Sequence, residues 1–230
     1  MPFSMKFFSF LPLAILTISC AIPKEVPPER VYLDEEGRSI SKIDFLEKWR
    51  NNDLDLARWD YMENGKRKIT LSSPLYSRLS VDYQPLLRNL EKITGQEYPS
   101  NSVLVIAYTY TDDLCSTRSS NTWNRSKITV RKNRLKSSRK KVLATSENVV
   151  YLHLFEEGIN LKNKPNSKKE YFFKDKNNHF RNTLFEHPTL CGSYALIKPN
   201  GQTLVRNGEY TIEDLISLLQ PEVWNSIFTY

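Results

Sequence analysis

The segment Val103–Tyr110, VLVIAYTY, places apolar or aromatic side chains on both faces of an extended chain. Side chains of a strand alternate between faces, so a strand that is apolar on both is covered on both. It predicts the centre of a sheet sandwiched between helices, which is an α/β architecture. The chain has 230 residues, enough for one or two domains with a sizeable core. Its 40% hydrophobic and 26% charged residues exclude a disordered or membrane-embedded protein. No internal repeat is present.

The first twenty residues follow different rules. Lys6 precedes an apolar run from Phe7 to Ile18, interrupted by Ser9, Pro12 and Thr17. About a dozen residues is too short to span a bilayer and suits the core of a signal peptide. The run ends in Thr17-Ile18-Ser19-Cys20, which resembles a bacterial lipoprotein cleavage site, with Thr17 where that pattern prefers leucine. The resemblance implies a signal peptide over 1–19 and lipidation of Cys20. An ordinary secretory signal and an uncleaved anchor are the alternatives. Residues 20–29 then form a tether stiffened by Pro23, Pro27 and Pro28. No acidic residue directly follows Cys20, which by the same resemblance directs the protein to the outer membrane, facing the periplasm. The net charge of +7 loses one lysine and no acid with residues 1–20, leaving +6.

Local signals organise the rest. Residues 32–38 read as a short strand entering a turn, and Ser41 opens a capping-box-like start for a helix over about 42–50. Asn64-Gly65 between Leu56–Met62 and Lys66–Leu71 predicts a hairpin, since both residues tolerate positive φ. Leu86, Leu87, Leu90 and Ile93 recur at helical spacing before Gly95. A basic, partly helical segment follows over about 119–146, then a strand over 148–155. Residues 159–175 read as a lysine-rich loop and His179–Phe185 as a short helix. Pro199-Asn200-Gly201 marks a second hairpin. Thr211 caps a helix whose Ile212, Leu215, Ile216 and Leu219 fall on one stripe, and Pro221 ends it. Residues 30–79 are expected to form a small α/β extension, and 80–230 a domain of order α-β-α-β-α-β-β-α.

That order resembles the thioredoxin fold. Val103–Cys115, VLVIAYTYTDDLC, is similar to the strand and active-site turn of envelope thioredoxin-like proteins, which end in Cys-Gly-Pro-Cys. Tyr194–Leu219 is similar to their strand, turn, strand and closing helix. The resemblance covers about 80–220 and implies a central mixed sheet flanked by helices. In this register Cys115 takes the place of the second cysteine and Asp112 that of the first, the attacking thiolate, which a carboxylate cannot replace. The family's cis-proline position falls on Gly192; Pro188 lies four residues earlier. A second register places Cys115 first, as Cys-Ser-Thr-Arg ending at Arg118, but the flanking Tyr108 and Asp112 depart from the one-cysteine peroxidase pattern. With Cys20 lipidated, Cys115 and Cys191 remain. In the fold the residue before the cis-proline position lies beside the active-site turn, so the resemblance implies a Cys115–Cys191 bridge. A structural bridge, a reversible redox bridge and two free thiols are all compatible with the sequence.

Residues 125–141 carry nine basic side chains and no acid: Arg125, Lys127, Arg131, Lys132, Arg134, Lys136, Arg139, Lys140 and Lys141. They suit an anionic lipid or polyanion, or simply a solvated helix face. An exported protein is not expected to meet nucleic acid. His153, His179 and His187 are too dispersed for a metal site, and no cofactor motif is present. Asp112-Asp113 read as helix caps, and Trp49, Trp59 and Trp123 as core. The leading functional expectation is a non-catalytic binding or scaffold module with an unknown protein partner. The alternative is a thiol–disulfide oxidoreductase or redox partner using Cys115 with Cys191.

Overall fold

The computed structural model describes residues 27–72, 74–115 and 121–229. The signal-like segment, Cys20, most of the tether and Arg118 lie outside these residues. Among the described residues no helix is long and apolar enough to cross a membrane.

The chain begins with β1 (Arg30–Leu33), β2 (Ser39–Ile40) and α1 (Lys42–Arg50). The Ser41 hydroxyl accepts from the Asp44 N–H at 3.1 Å, fixing where α1 starts. The hairpin β3 (Ala57–Glu63) and β4 (Lys66–Ser72) turns at Asn64-Gly65, with φ of 51° and 74°. These four strands make a small sheet of order β2-β1-β4-β3. Beneath α1 it buries Phe45, Leu56, Ile69 and Leu71.

A second, six-stranded sheet follows. Its strands are β5 (Tyr76–Ser80), β6 (Val103–Thr109), β8 (Val149–Phe155), β10 (Phe172–Lys174), β11 (Ser193–Ile197) and β12 (Gln202–Asn207), in the order β10-β8-β6-β11-β12-β5. The minor strands β7 (Thr122–Trp123) and β9 (Asn160–Leu161) pair only with each other. Helix α2 (Tyr83–Thr94) precedes β6, α3 (Arg125–Leu143) connects β6 to β8, and α4 (Ile212–Leu218) and α5 (Pro221–Phe228) close the chain. β6 and β8 are parallel, while β11 is antiparallel to β6 and to β12. Two parallel strands joined by a helix, followed by an antiparallel hairpin and a closing helix, make this a thioredoxin-like fold. β6 is central and buried on both faces, with Leu104, Val105 and Ile106 fully excluded from solvent.

Three expectations need correction. The stretch 159–175 is not a plain loop: Phe172 and Phe173 enter β10, which pairs parallel with β8 at the sheet edge. Two buried phenylalanines outweigh the surrounding lysines, and burial of their rings drives the pairing. His179–Phe185 is not a helix. Asn177 and Asn178 turn left-handed, at φ 57° and 51°, and the Asp175 carboxylate accepts from the Phe180 and Arg181 N–H groups at 3.1 and 2.8 Å. A hydrogen-bonded turn thereby buries Phe180, Leu184 and Phe185. Finally, residues 76–79, read with the extension, belong to β5, which pairs with β12 in the large sheet.

The small sheet docks against the loops at the end of β6. The Arg58 carbonyl accepts from the Leu190 N–H at 2.7 Å, and Trp59 meets Tyr110 edge-on with ring centroids 6.1 Å apart. The extension therefore helps to hold the loop that carries Cys191.

Candidate functional site

Cys115 and Cys191 are joined by a disulfide with a Cα–Cα separation of 4.8 Å across 76 residues of sequence. Cys115 lies in the loop leaving β6, and Cys191 in the loop entering β11. The two strands are neighbours in the sheet, paired through Ser193 and Tyr108, so their ends bring the two loops together. Cys115 is exposed and Cys191 half-buried.

The connection at Cys191-Gly192 is left-handed at both residues, with φ of 70° and 83°. A Cβ at Gly192 would stand 2.3 Å from the Tyr108 carbonyl oxygen. Proline, locked near φ −65°, cannot adopt this backbone. The glycine at the expected cis-proline position is thus required by the close approach of this loop to β6.

Among the described residues Asp112 and Asp113 cap no helix. Asn124 caps α3, accepting from the Lys127 N–H at 2.9 Å. Asp112 sits at φ 56° and exchanges two hydrogen bonds with Asn121, which clip the loop's two ends together: its N–H donates to Oδ1 at 2.8 Å, and its Oδ1 accepts from Nδ2 at 2.9 Å. Asp113 joins the two cysteine loops. Its Oδ1 accepts from the Cys115 N–H at 2.9 Å and from the Cys191 N–H at 3.1 Å. Burial pushes the Asp113 carboxyl above the usual range, and these two donors offset it only in part. Cys115 precedes the α3 cap Asn124 by nine residues of sequence, so it is not a residue of the helix's first turn, where the attacking thiolate of a dithiol site is stabilised.

Behind the loops lies a satisfied polar layer. The Tyr110 hydroxyl donates to the His187 carbonyl at 3.0 Å and meets Ser193 Oγ at 2.9 Å. Glu156 accepts from the Thr111 N–H at 2.6 Å and from its hydroxyl at 2.7 Å, and pairs with Arg181 at 3.1 Å. His153 meets Thr109 Oγ1 at 2.7 Å through Nε2, while its Nδ1 is buried without a partner. Burial holds this imidazole well below its ordinary pKa, hence neutral. Among the described residues no group of three or more His, Cys, Asp or Glu is placed to hold a metal ion.

The nine basic residues of 125–141 do not form one surface. Lys132 turns inward to pair with the buried Glu170 and lies over Phe172, 5.1 Å from the ring centroid. Arg139 lies over Tyr171 at 4.5 Å, and Lys141 pairs with Glu213 at 3.1 Å. Arg125, Lys136 and Lys140 are exposed. Lys127, Arg131 and Arg134 face a pocket of about 370 Å³ whose wall includes both cysteines, Asp113, Trp123 and Val130. This pocket was not legible beforehand: Trp123 read as core, and the basic run gave no sign of which residues would turn toward the disulfide. Helical spacing of 127, 131 and 134 was the available signal. Of the other tryptophans, Trp59 is half-buried, but Trp49 is 38% exposed, so it is not core.

No family model matches the chain, and no curated protein does. Solved structures give weak overlaps. The exposed lipoprotein thioredoxin of Streptococcus pneumoniae aligns at 12% identity and a TM-score of 0.34, over 71% of this chain and 98% of that one. MTB dsbF, in mixed oxidized and reduced forms, aligns at 14% and 0.32, over 52% and 82%. A secreted Mycobacterium tuberculosis disulfide oxidoreductase homologous to E. coli DsbE aligns at 11% and 0.30, over 50% and 78%. The fold assignment rests on the chain's own strand order. The strand order makes this a protein of thioredoxin-like fold, in which one disulfide joins the two loops at the end of the central strands.

Proposed function

We propose that this chain is an exported, lipid-anchored binding module of the cell envelope, in which the thioredoxin site has become a structural staple bordering a ligand pocket. One observation carries the reading: the cysteines bridge two separate loops, and neither is a residue of the first turn of α3. A dithiol enzyme needs an attacking thiolate stabilised at such a helix end, with its resolving partner in the same turn. Export and anchoring rest on the signal-like run before Cys20 and accord with a bridge that persists in oxidising compartments. Facing the periplasm from the outer membrane is the placement consistent with the residues after Cys20.

The test is non-reducing peptide mapping of the exported protein, followed by titration against a glutathione redox buffer. A staple resists reduction, with a potential below about −300 mV. A bridge that opens near −200 mV, with turnover in an insulin-reduction assay, would sink the proposal. It would establish the second reading, a thiol–disulfide exchange partner. That reading is favoured by the exposure of Cys115 at the mouth of a pocket containing three cationic side chains. In it, an external thiolate attacks the exposed Cys115 sulfur, a mixed disulfide forms, and Cys191 leaves as the thiolate.

A further inference from the structure

We propose that the pocket beside the disulfide binds a small organic carboxylate, held by Arg131 and Arg134 with its apolar body against Trp123 and Val130. The inference rests on the binding-module reading and names its ligand class. Lys127, Arg131 and Arg134 fall at i, i+4 and i+7 of α3, one face of the helix, and all three line the pocket.

Their hydrogen-bonding demand is unequal. Lys127 Nζ donates to the Thr122 carbonyl at 3.2 Å. Arg131 is half-buried, its Nε is sealed from solvent without an acceptor, and no described residue gives it a hydrogen bond or ion pair. Arg134 is exposed, with no described partner, and stands at the same wall. Elsewhere on the same helix Lys132 and Lys141 have found carboxylates. A guanidinium withdrawn from water calls for acceptors, and its planar fork fits a carboxylate in two parallel hydrogen bonds.

The rest of the wall narrows the class. Val130 is 48% exposed despite being aliphatic, and Trp123 stands half-buried beside it, so an apolar group gains by covering them. Among the described residues three cations and one acid, Asp113, line the cavity. Asp113 Oδ1 is already occupied by two cysteine N–H groups, so this carboxyl is oriented by the loops, while the nearby Arg131 charge favours its ionised form. Inorganic phosphate would leave Trp123 and Val130 uncovered, whereas a carboxylate with an apolar body covers them. At about 370 Å³ the cavity lies at the small end of ligand pockets. The carboxylate belongs either to a free acid or to the C-terminus of a peptide.

The experiment is calorimetric titration of the full chain, disulfide intact, with four probes: N-acetylphenylalanine, its amide, inorganic phosphate, and a hexapeptide ending in phenylalanine. The acid is expected to bind at least tenfold tighter than the amide or phosphate. R131Q should weaken it about tenfold. D113N, which keeps the oxygen acceptor for the cysteine N–H groups and removes the charge, should tighten it severalfold. K140Q, on the same helix but outside the pocket, should leave it unchanged. A peptide tenfold tighter than the free acid assigns a chain end; the reverse assigns a small metabolite. Equal binding of acid and amide, no binding of either carboxylate probe, or indifference to both R131Q and D113N overturns the proposal. So does retention only on phosphatidylglycerol vesicles that R131Q and K140Q weaken alike, which would make α3 a membrane-facing surface. The readout is separate from insulin reduction: redox turnover with carboxylate binding intact would remove the staple and leave the pocket.

Discussion

The two sheets of this molecule are held by different means. Among the described residues the large sheet encloses one continuous core of 32 buried apolar and aromatic residues, running from α2 across the sheet to Trp224 in α5. The small sheet has a cluster of four, centred on Phe45. It compensates with polar contacts. Asp60, fully buried in β3, receives Arg58 Nε at 2.6 Å and Arg67 Nη2 at 2.6 Å. The Arg58 guanidinium then lies over Trp49, 5.0 Å from the ring centroid. A unit of about this size is near the limit at which chains fold unaided. The small sheet therefore depends on its ion cluster and its docking to the Cys191 loop, whereas the large sheet depends on area removed from water. Electrostatic cohesion is directional and fails when one partner is lost; apolar cohesion degrades gradually.

The sharpest way to break this contrast is Asp60→Ala. It leaves two half-buried guanidinium groups without their carboxylate, and removing one side of such a cluster costs about 3–5 kcal/mol. Urea unfolding followed through tryptophan fluorescence should show that loss, and a shift under about 1 kcal/mol would place the small sheet's stability elsewhere. Next in size is the staple. Replacing both cysteines by serine frees a loop of 76 residues and should cost up to about 4 kcal/mol on the chain-entropy model. Amide exchange would show the loss concentrated at the ends of β6 and β11; uniform loss would mean that the bridge supports the whole core.

The third prediction concerns acid. His153 is buried and neutral in the large core, with its pKa well below the ordinary value. Below about pH 6.5 the unfolded chain takes up a proton that the folded chain refuses, so stability falls as pH falls, by up to about 1.4 kcal/mol per unit. Denaturation midpoints between pH 7 and 5 check the slope, which His153→Phe should flatten. Glu170 adds to it at lower pH: burial raises its carboxyl, but the Lys132 hydrogen bond and the Phe172 and Tyr171 N–H donors outweigh that and hold it below its ordinary range. Its contribution is present above about pH 4.5 and is lost as acid protonates the folded carboxylate. The smallest effect is Ser41→Ala, which removes the α1 cap at a cost of about 1 kcal/mol. A Thr211→Ala change at α4, whose hydroxyl accepts from the Asp214 N–H at 3.1 Å, should cost a similar amount in the better-packed region.

Much of this architecture is local and can be read from the chain. The Asn64-Gly65 and Asn200-Gly201 turns, the Ser41 and Thr211 caps, the apolar stripe of α2 and the doubly apolar β6 each depend on residues close in sequence, because turn geometry, capping and periodicity are short-range. What only the tertiary structure decided lies across the sheet. β10 joins its edge, β5 pairs with β12, and Asp113 becomes a clasp between cysteine loops rather than a helix cap. Arg131 likewise faces a pocket while its neighbour Lys132 finds Glu170. The sequence marked one central strand, and its resemblance to envelope thioredoxin-like proteins pointed to Cys115 and Cys191 as a pair while leaving free thiols open. Whether a side chain beyond that strand meets a partner, a cavity or water depends on which distant segment folds over it, and local periodicity carries no information about that choice.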